Sequence, residues 1–147
     1  MATEITKNFS LEEFTKSCTA DRKGIDNTPS PEVKNNIVRL VKEIMQPIRD
    51  KYKKPIVINS GYRCDALNKV VGGSRTSQHC TGEAVDFETT NGINDKLFRL
   101  VKEMVEKGEI QCGQLIWEYG NKKNPNWIHI SLPRRNKPNN QILYLYS

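Results

Sequence analysis

Apolar residues recur at helical spacing from Val33 through Ile37, Leu40, Val41, Ile44 and Ile48, which predicts an amphipathic helix with one face toward a core. Ser30 and Pro31 suit its N-cap and first turn, and Pro47 is expected to kink or end it. Leu97, Leu100, Val101, Met104 and Val105 form a second such stripe, closed by Gly108. Elsewhere the period shortens to two. "PIVINS" (55–60), "EAVDF" (83–87), "QLIWE" (114–118), "WIHIS" (127–131) and "ILYLY" (142–146) read as strands, the last as core or edge packing. "NFSLEEF" (8–14) opens a short helix, with Ser10 and Glu13 as a capping box and Phe9 and Phe14 at the staple positions. "CDALNKVVGG" (64–73) reads as a brief helix stopped by Gly72-Gly73, and "DRKGIDNTPSP" (21–31) as a loop. Helices come first and mostly antiparallel strands later, which predicts a single α+β domain over residues 1–147 with helices on one side of the sheet.

Composition narrows the class. A chain of 147 residues is long enough for one real core, and 36% hydrophobic with 27% charged residues is ordinary for a soluble globular protein. No apolar run approaches the ~20 residues of a membrane span, and "MATEITKNFS" has no apolar signal-peptide core. The expectation is a chain made in the cytoplasm, monomeric, and released by some route other than its own leader. A net charge of +6 favours polyanionic partners such as nucleic acid or an acidic cell envelope, or is simply a solvated basic surface. No nucleic-acid-binding motif or aromatic-lined basic stripe accompanies that charge, so nucleic acid is not expected as a partner. Cys18, Cys64, Cys80 and Cys112 are scattered without CxxC pairing and read as free thiols.

Only two histidines occur, and both sit in unusual settings. In "WIHIS", alternation sends Ile128 and Ile130 to a core and His129 to the opposite face with Trp127 and Ser131. In "EAVDF", Asp86 and Ala84 share a face while Val85 and Phe87 take the other. His79 lies seven residues before Asp86, with Gly82 allowing the turn between them. If the two strands are neighbours, His79, Asp86 and His129 are plausible ligands of one metal ion. Two imidazoles and a carboxylate leave a fourth position on zinc for water, the arrangement of catalytic sites. Zinc lowers the pKa of such a water toward ~7 and polarises a carbonyl, which suits amide hydrolysis.

"SGYRCDALNKVVGGSRTSQHCTGEAVDF", followed by "QLIWEYG" and "NWIHIS", resembles the zinc D-alanyl-D-alanine carboxypeptidase family, which includes vancomycin-resistance dipeptidases and phage L-alanyl-D-glutamate endolysins. The opening "NFSLEEFTKSCTADRKGIDNTP" resembles the compact phage and gut-bacterial forms as well. The resemblance implies the hedgehog/DD-peptidase fold, Zn2+ held by His79, Asp86 and His129, and a peptidoglycan stem peptide as substrate. It implies that Arg63, in "SGYR", grips a substrate carboxylate, as a guanidinium does through paired hydrogen bonds. Ser77 and Gln78 are expected to line the site, donating to the scissile carbonyl or orienting the backbone. Trp127 either walls the cleft or fills core.

Many relatives carry a glutamate three residues before the last histidine, or a histidine two before it. Here Asn126 and Trp127 stand at those places, and neither can take a proton from water. Glu118 is the nearest substitute. If "QLIWE" and "WIHIS" pair as a hairpin with Glu118 opposite Trp127, Glu118 becomes a diagonal neighbour of His129, roughly 7–8 Å away along the backbones. A one-residue slip would turn it to the other face. With Glu118 as base, the chain is expected to be a zinc metallopeptidase acting at the bacterial cell wall, of D,D-carboxypeptidase or endolysin type. The missing base at the usual place keeps a second expectation open: a non-catalytic zinc-containing module that binds cell wall or forms part of a phage particle. Cys80 reads as packing, Asp65, Glu83 and Glu88 as solvated, and "PRRNKPNN" (133–140) as an exposed basic turn, with binding to the cell envelope as its second reading.

Overall fold

The computed structural model describes residues 3–146. The chain opens with a small hairpin of β1 (Glu4–Thr6) and β2 (Phe9–Ser10), absent from the sequence reading because strands this short carry no period. A 3-10 turn over Leu11–Phe14 follows, with the expected capping box at Ser10 and Glu13 and an edge-on contact between Phe9 and Phe14. Next comes α1 (Cys18–Lys23), which corrects the assignment of Asp21–Lys23 to a loop. Ser17 caps it by accepting from the Ala20 amide, and Gly24, at φ 67°, ends it. The helix has no apolar stripe to announce it, since Ala20 alone is buried.

Helix α2 (Pro31–Leu40) starts at Ser30 and Pro31 as expected. The helical path does not end at Pro47. It passes through a wide π segment, Val41–Met45, and continues as α3 (Gln46–Tyr52). A proline ring collides with the carbonyl four residues back, here that of Glu43. In the widened turn the Gln46 amide donates to Val41, five residues back, which accommodates the ring without ending the helix.

Strand β3 (Ile56–Ser60), α4 (Asp65–Val70), a second 3-10 turn (Gln78–Thr81) and β4 (Ala84–Thr89) follow. Then come α5 (Asp95–Glu106), β5 (Gln114–Glu118), β6 (Trp127–Ser131) and β7 (Gln141–Leu145). The five long strands form one sheet in the order β3-β4-β6-β5-β7, antiparallel except where β7 runs parallel to β5 at the edge.

One face of the sheet carries Ile58, Val85, Phe87, Leu115, Trp117, Ile128 and Ile130. Against it pack Ile37, Leu40, Ile44 and Ile48 from the α2–α3 path and Leu97, Phe98, Val101 and Met104 from α5. Each such side chain contributes about 1.5–3 kcal/mol when fully buried. A one-residue slip of β4 or β6 would expose two of them and bury polar groups instead, so the core fixes the register. The other face of the sheet is thereby free for chemistry.

Candidate metal centre

Asp86 lies directly opposite His129 across the β4–β6 ladder, both on the face away from the core. His79 comes from the 3-10 turn, whose end at Gly82 has φ 78°. A Cβ at Gly82 would press to 2.9 Å of Val33 Cγ1, so this reversal against α2 needs glycine. His79, Asp86 and His129 each offer a ligand atom within 4.8 Å of the others. Asp86 Oδ1 is 2.9 Å from His129 Nδ1 and 3.4 Å from His79 Nε2, and the imidazole centroids are 5.2 Å apart.

His79 Nδ1 lies 2.7 Å from the Gly61 carbonyl, an oxygen that can only accept. The ring proton therefore sits on Nδ1, and the Nε2 lone pair faces Asp86. This is the carbonyl support that metal-binding histidines commonly have. The Gly61 carbonyl is itself held. Tyr62 donates its amide to the Phe14 carbonyl at 2.7 Å, and a Cβ on Gly61 would come within 2.4 Å of that same oxygen. Asn27 ties the following stretch down, donating to the Tyr62 carbonyl and accepting from the Cys64 amide. An extra residue, Asn59, interrupts the β3–β4 register beside Asp86. The N-terminal turn, α4's approach and the bulge together aim one carbonyl at one imidazole.

The donor set fits zinc. Two imidazole nitrogens and a carboxylate oxygen converge, and each presents a lone pair to a cation once unprotonated. Zinc–ligand bonds of ~2.0–2.1 Å imply tetrahedral edges of roughly 3.3 Å, close to the 2.9 and 3.4 Å from Asp86 Oδ1 to the two imidazole nitrogens. Burial works against the charge on Asp86, yet its close contacts with the His129 and His79 imidazoles outweigh it and hold the carboxyl below its ordinary range.

Glu118 pairs opposite Trp127, the register the hairpin argument required. Ile116 stands opposite His129, so Glu118 shares the metal face. Its carboxylate takes no hydrogen bond or ion pair from any described group. Burial pushes its pKa up, the Asp86 charge pushes the same way, and His129 pulls it down. The hairpin turn is held by Asn94, fully buried, whose amide donates to the Pro125 and Asn126 carbonyls, while Asn124 accepts from the Asn94 and Asp95 amides at the start of α5.

A cleft of about 260 Å³ adjoins His129, with Ser77, Gln78, Gln114, Ile116, Arg134 and Lys137 among its walls. Ser77 Oγ accepts from the His79 amide at 3.1 Å and from Arg63 Nη2 at 3.3 Å, which leaves its own proton free to donate. The Gln78 side chain donates to the Leu132 carbonyl at 3.0 Å, which ties the 3-10 turn to the end of β6. Trp127 is half-buried against Tyr119, ring centroids 5.3 Å apart, beside Glu118. Arg63 reaches Ser77 but lines a neighbouring cavity of about 280 Å³ instead of this cleft. The alternation along "QLIWE" puts Gln114 and Ile116 on the face of Glu118, but the sequence reading did not count them among the site residues. It also left out Arg134 and Lys137, in the turn read as exposed and basic with envelope binding as a second possibility, and Gly61, whose part is a backbone carbonyl with no residue-type signal.

No curated protein matches the chain. The Peptidase M15 family model matches residues 7–131, a span that holds the zinc-type ligand triad and Glu118. The chain therefore belongs to the peptidase M15 family of zinc-dependent metallopeptidases, the group of D-alanyl-D-alanine carboxypeptidases and endolysins that its sequence resembles.

Proposed function

We propose that this metallopeptidase hydrolyses amide bonds in peptidoglycan stem peptides at the bacterial cell wall, with Zn2+ held by His79, Asp86 and His129. The observation that carries the reading is the convergence of three lone-pair atoms beside an unpartnered, half-buried carboxylate, Glu118. Bound there, zinc would supply a water of lowered pKa and a Lewis acid for the scissile carbonyl. Glu118 accepts the proton of the attacking water and returns it to the leaving amine, and the burial that raises its pKa favours holding that proton between the two transfers. The Ser77 hydroxyl donates to the substrate carbonyl, Gln78 orients the backbone beside His79, and Arg63 holds the Ser77 oxygen in place. Trp127, outside the cleft lining, flanks Glu118 across the β5–β6 ladder and packs edge-on against Tyr119.

Digestion of peptidoglycan fragments followed by mass spectrometry, with and without chelator, tests this. Chelator-sensitive loss of a D-Ala or scission at L-Ala–D-Glu is expected. Intact fragments with zinc present would overturn the enzymatic reading.

Asn126 at the usual base position favours one other reading, a zinc-containing module that binds wall without cutting it. In that case Glu118→Gln would leave wall binding and metal content unchanged and there would be no rate to lose.

A further inference from the structure

We propose that Asn27, in the loop between α1 and α2, is a positioning residue of the metal centre that acts on His79 through the 61–64 stretch. The inference deepens the peptidase reading and rests on its metal triad. His79 has every polar group but one bonded within the protein. Its amide donates to Ser77 Oγ at 3.1 Å, its carbonyl accepts from the Arg63 amide at 3.0 Å, and its Nδ1 meets the Gly61 carbonyl at 2.7 Å. Only Nε2 is left, and it faces Asp86. Two of those bonds come from residues 61–63, and the third is made by a hydroxyl that Arg63 Nη2 also holds. Where the 61–64 backbone lies therefore decides where the Nε2 lone pair points.

Residues 61–64 belong to no strand or helix, so their backbone groups need partners from outside. The Phe14 carbonyl takes the Tyr62 amide, and His79 takes the Arg63 amide. The groups on either side of Arg63 are both answered by one side chain. Asn27 Nδ2 donates to the Tyr62 carbonyl at 2.9 Å, and Asn27 Oδ1 accepts from the Cys64 amide at 2.8 Å. Nδ2 also donates to the Thr15 carbonyl at 2.9 Å. Two carbonyls and one amide allow a single orientation of this side chain, with its NH2 toward the oxygens. The loop itself is fixed at both ends. Gly24 closes α1, the Ile25 amide reaches back to the Ala20 carbonyl, and Ser30 caps α2. Between them Asp26 Oδ1 accepts from the Thr28 amide and hydroxyl, which closes a turn around Asn27. A short polar side chain on an anchored turn thus joins the N-terminal turn to the stretch that holds His79.

Metal binding by the full chain tests this without any need for turnover. Asn27→Ala is expected to weaken zinc about tenfold, the scale of losing a group that orients a metal ligand, as read by competition with a chelating dye. The visible absorption bands of the cobalt(II)-loaded protein follow coordination geometry, and they should shift or lose intensity. Asn27→Asp keeps an acceptor for the Cys64 amide but sets a carboxylate against two carbonyls. It should show the same loss, and it carries the test should Asn27→Ala fail to fold. Gln46→Ala is the control. Gln46 also makes three side-chain bonds, to Thr6, Asn8 and Asp50, but these tie the β1–β2 hairpin to α3 and reach nothing in 61–64. Its loss should lower the melting temperature while zinc affinity stays within about twofold of the parent and the cobalt bands stay in place. A folded Asn27 variant with parental zinc affinity and cobalt bands, or an equal loss of affinity in Gln46→Ala, would overturn the proposal. Hydrolysis by the unmodified protein reports separately on the underlying reading. A parent that binds zinc but cuts no stem peptide, with Asn27→Ala still weakened, would remove the peptidase and keep the positioning role; a parent that cuts, with Asn27→Ala unaffected, would do the reverse.

Discussion

Asp86 Oδ1 stands 2.9 Å from His129 Nδ1 and 3.4 Å from His79 Nε2, so its charge organises both imidazoles at once. Asp86→Asn is expected to lower zinc affinity more than about 100-fold, beyond the range typical of removing a supporting group, as measured by competition with a chelating dye. Glu118 presents the opposite case, a carboxylate that suits function at the expense of stability. Its folded pKa is raised above the ordinary value, first by burial and then by Asp86. The protonated form is thus favoured in the native state, and stability is lost as pH rises from the ordinary glutamate range through the raised value. Metal-free Glu118→Gln should therefore melt at a higher temperature than the parent at pH 7, and the difference should vanish below pH ~4. The same substitution should cut peptide hydrolysis by ~10²–10⁴ while zinc content stays at one per chain. A rate within a few-fold of the parent would remove Glu118 from the base role.

At the scale of elements, the inward faces of β4, β5 and β6 were legible in advance because alternation of Val85/Phe87, Leu115/Trp117 and Ile128/Ile130 admits one apolar side. That alternation put Asp86, His129 and Glu118 on faces away from the core, while the adjacency of their strands stayed a condition that the sheet order meets. What lay beyond reach depends on contacts between distant segments: the seat of Gly61 against Phe14, the π segment that carries the chain past Pro47, and the asparagine bonds of the 133–140 turn. Short elements such as α1 bury too little to leave a period. Gly61→Ala tests the first of these. A Cβ within 2.4 Å of a backbone oxygen forces the strand end away from the N-terminal turn, and the His79 support moves with it. Zinc affinity should fall with stability, as read by chelator competition and denaturant melts. Asn94→Ala addresses the hairpin instead. It strips bonds from the Pro125 and Asn126 carbonyls and from the Thr89 amide, and a loss of roughly 2–4 kcal/mol is expected in urea unfolding.

Across the whole molecule, a helical layer and a sheet hold one face rigid so that the other can gather charge. The triad joins the 3-10 turn to the sheet's central strands, so metal binding should couple to global folding. Free zinc at a hundredfold excess over its dissociation constant stabilises by about 2.7 kcal/mol. For a chain of this size that corresponds to a melting shift of about 5–10 °C, reversed by chelator. The central claim is that three side chains separated along the chain hold a single ion. Calorimetric titration of zinc into metal-free protein, run in parallel on the parent and on Asp86→Ala, reads it most directly. One equivalent bound by the parent and no comparable site in the variant is the predicted result; a parent that takes up no zinc, or a variant that binds it equally well, would contradict it.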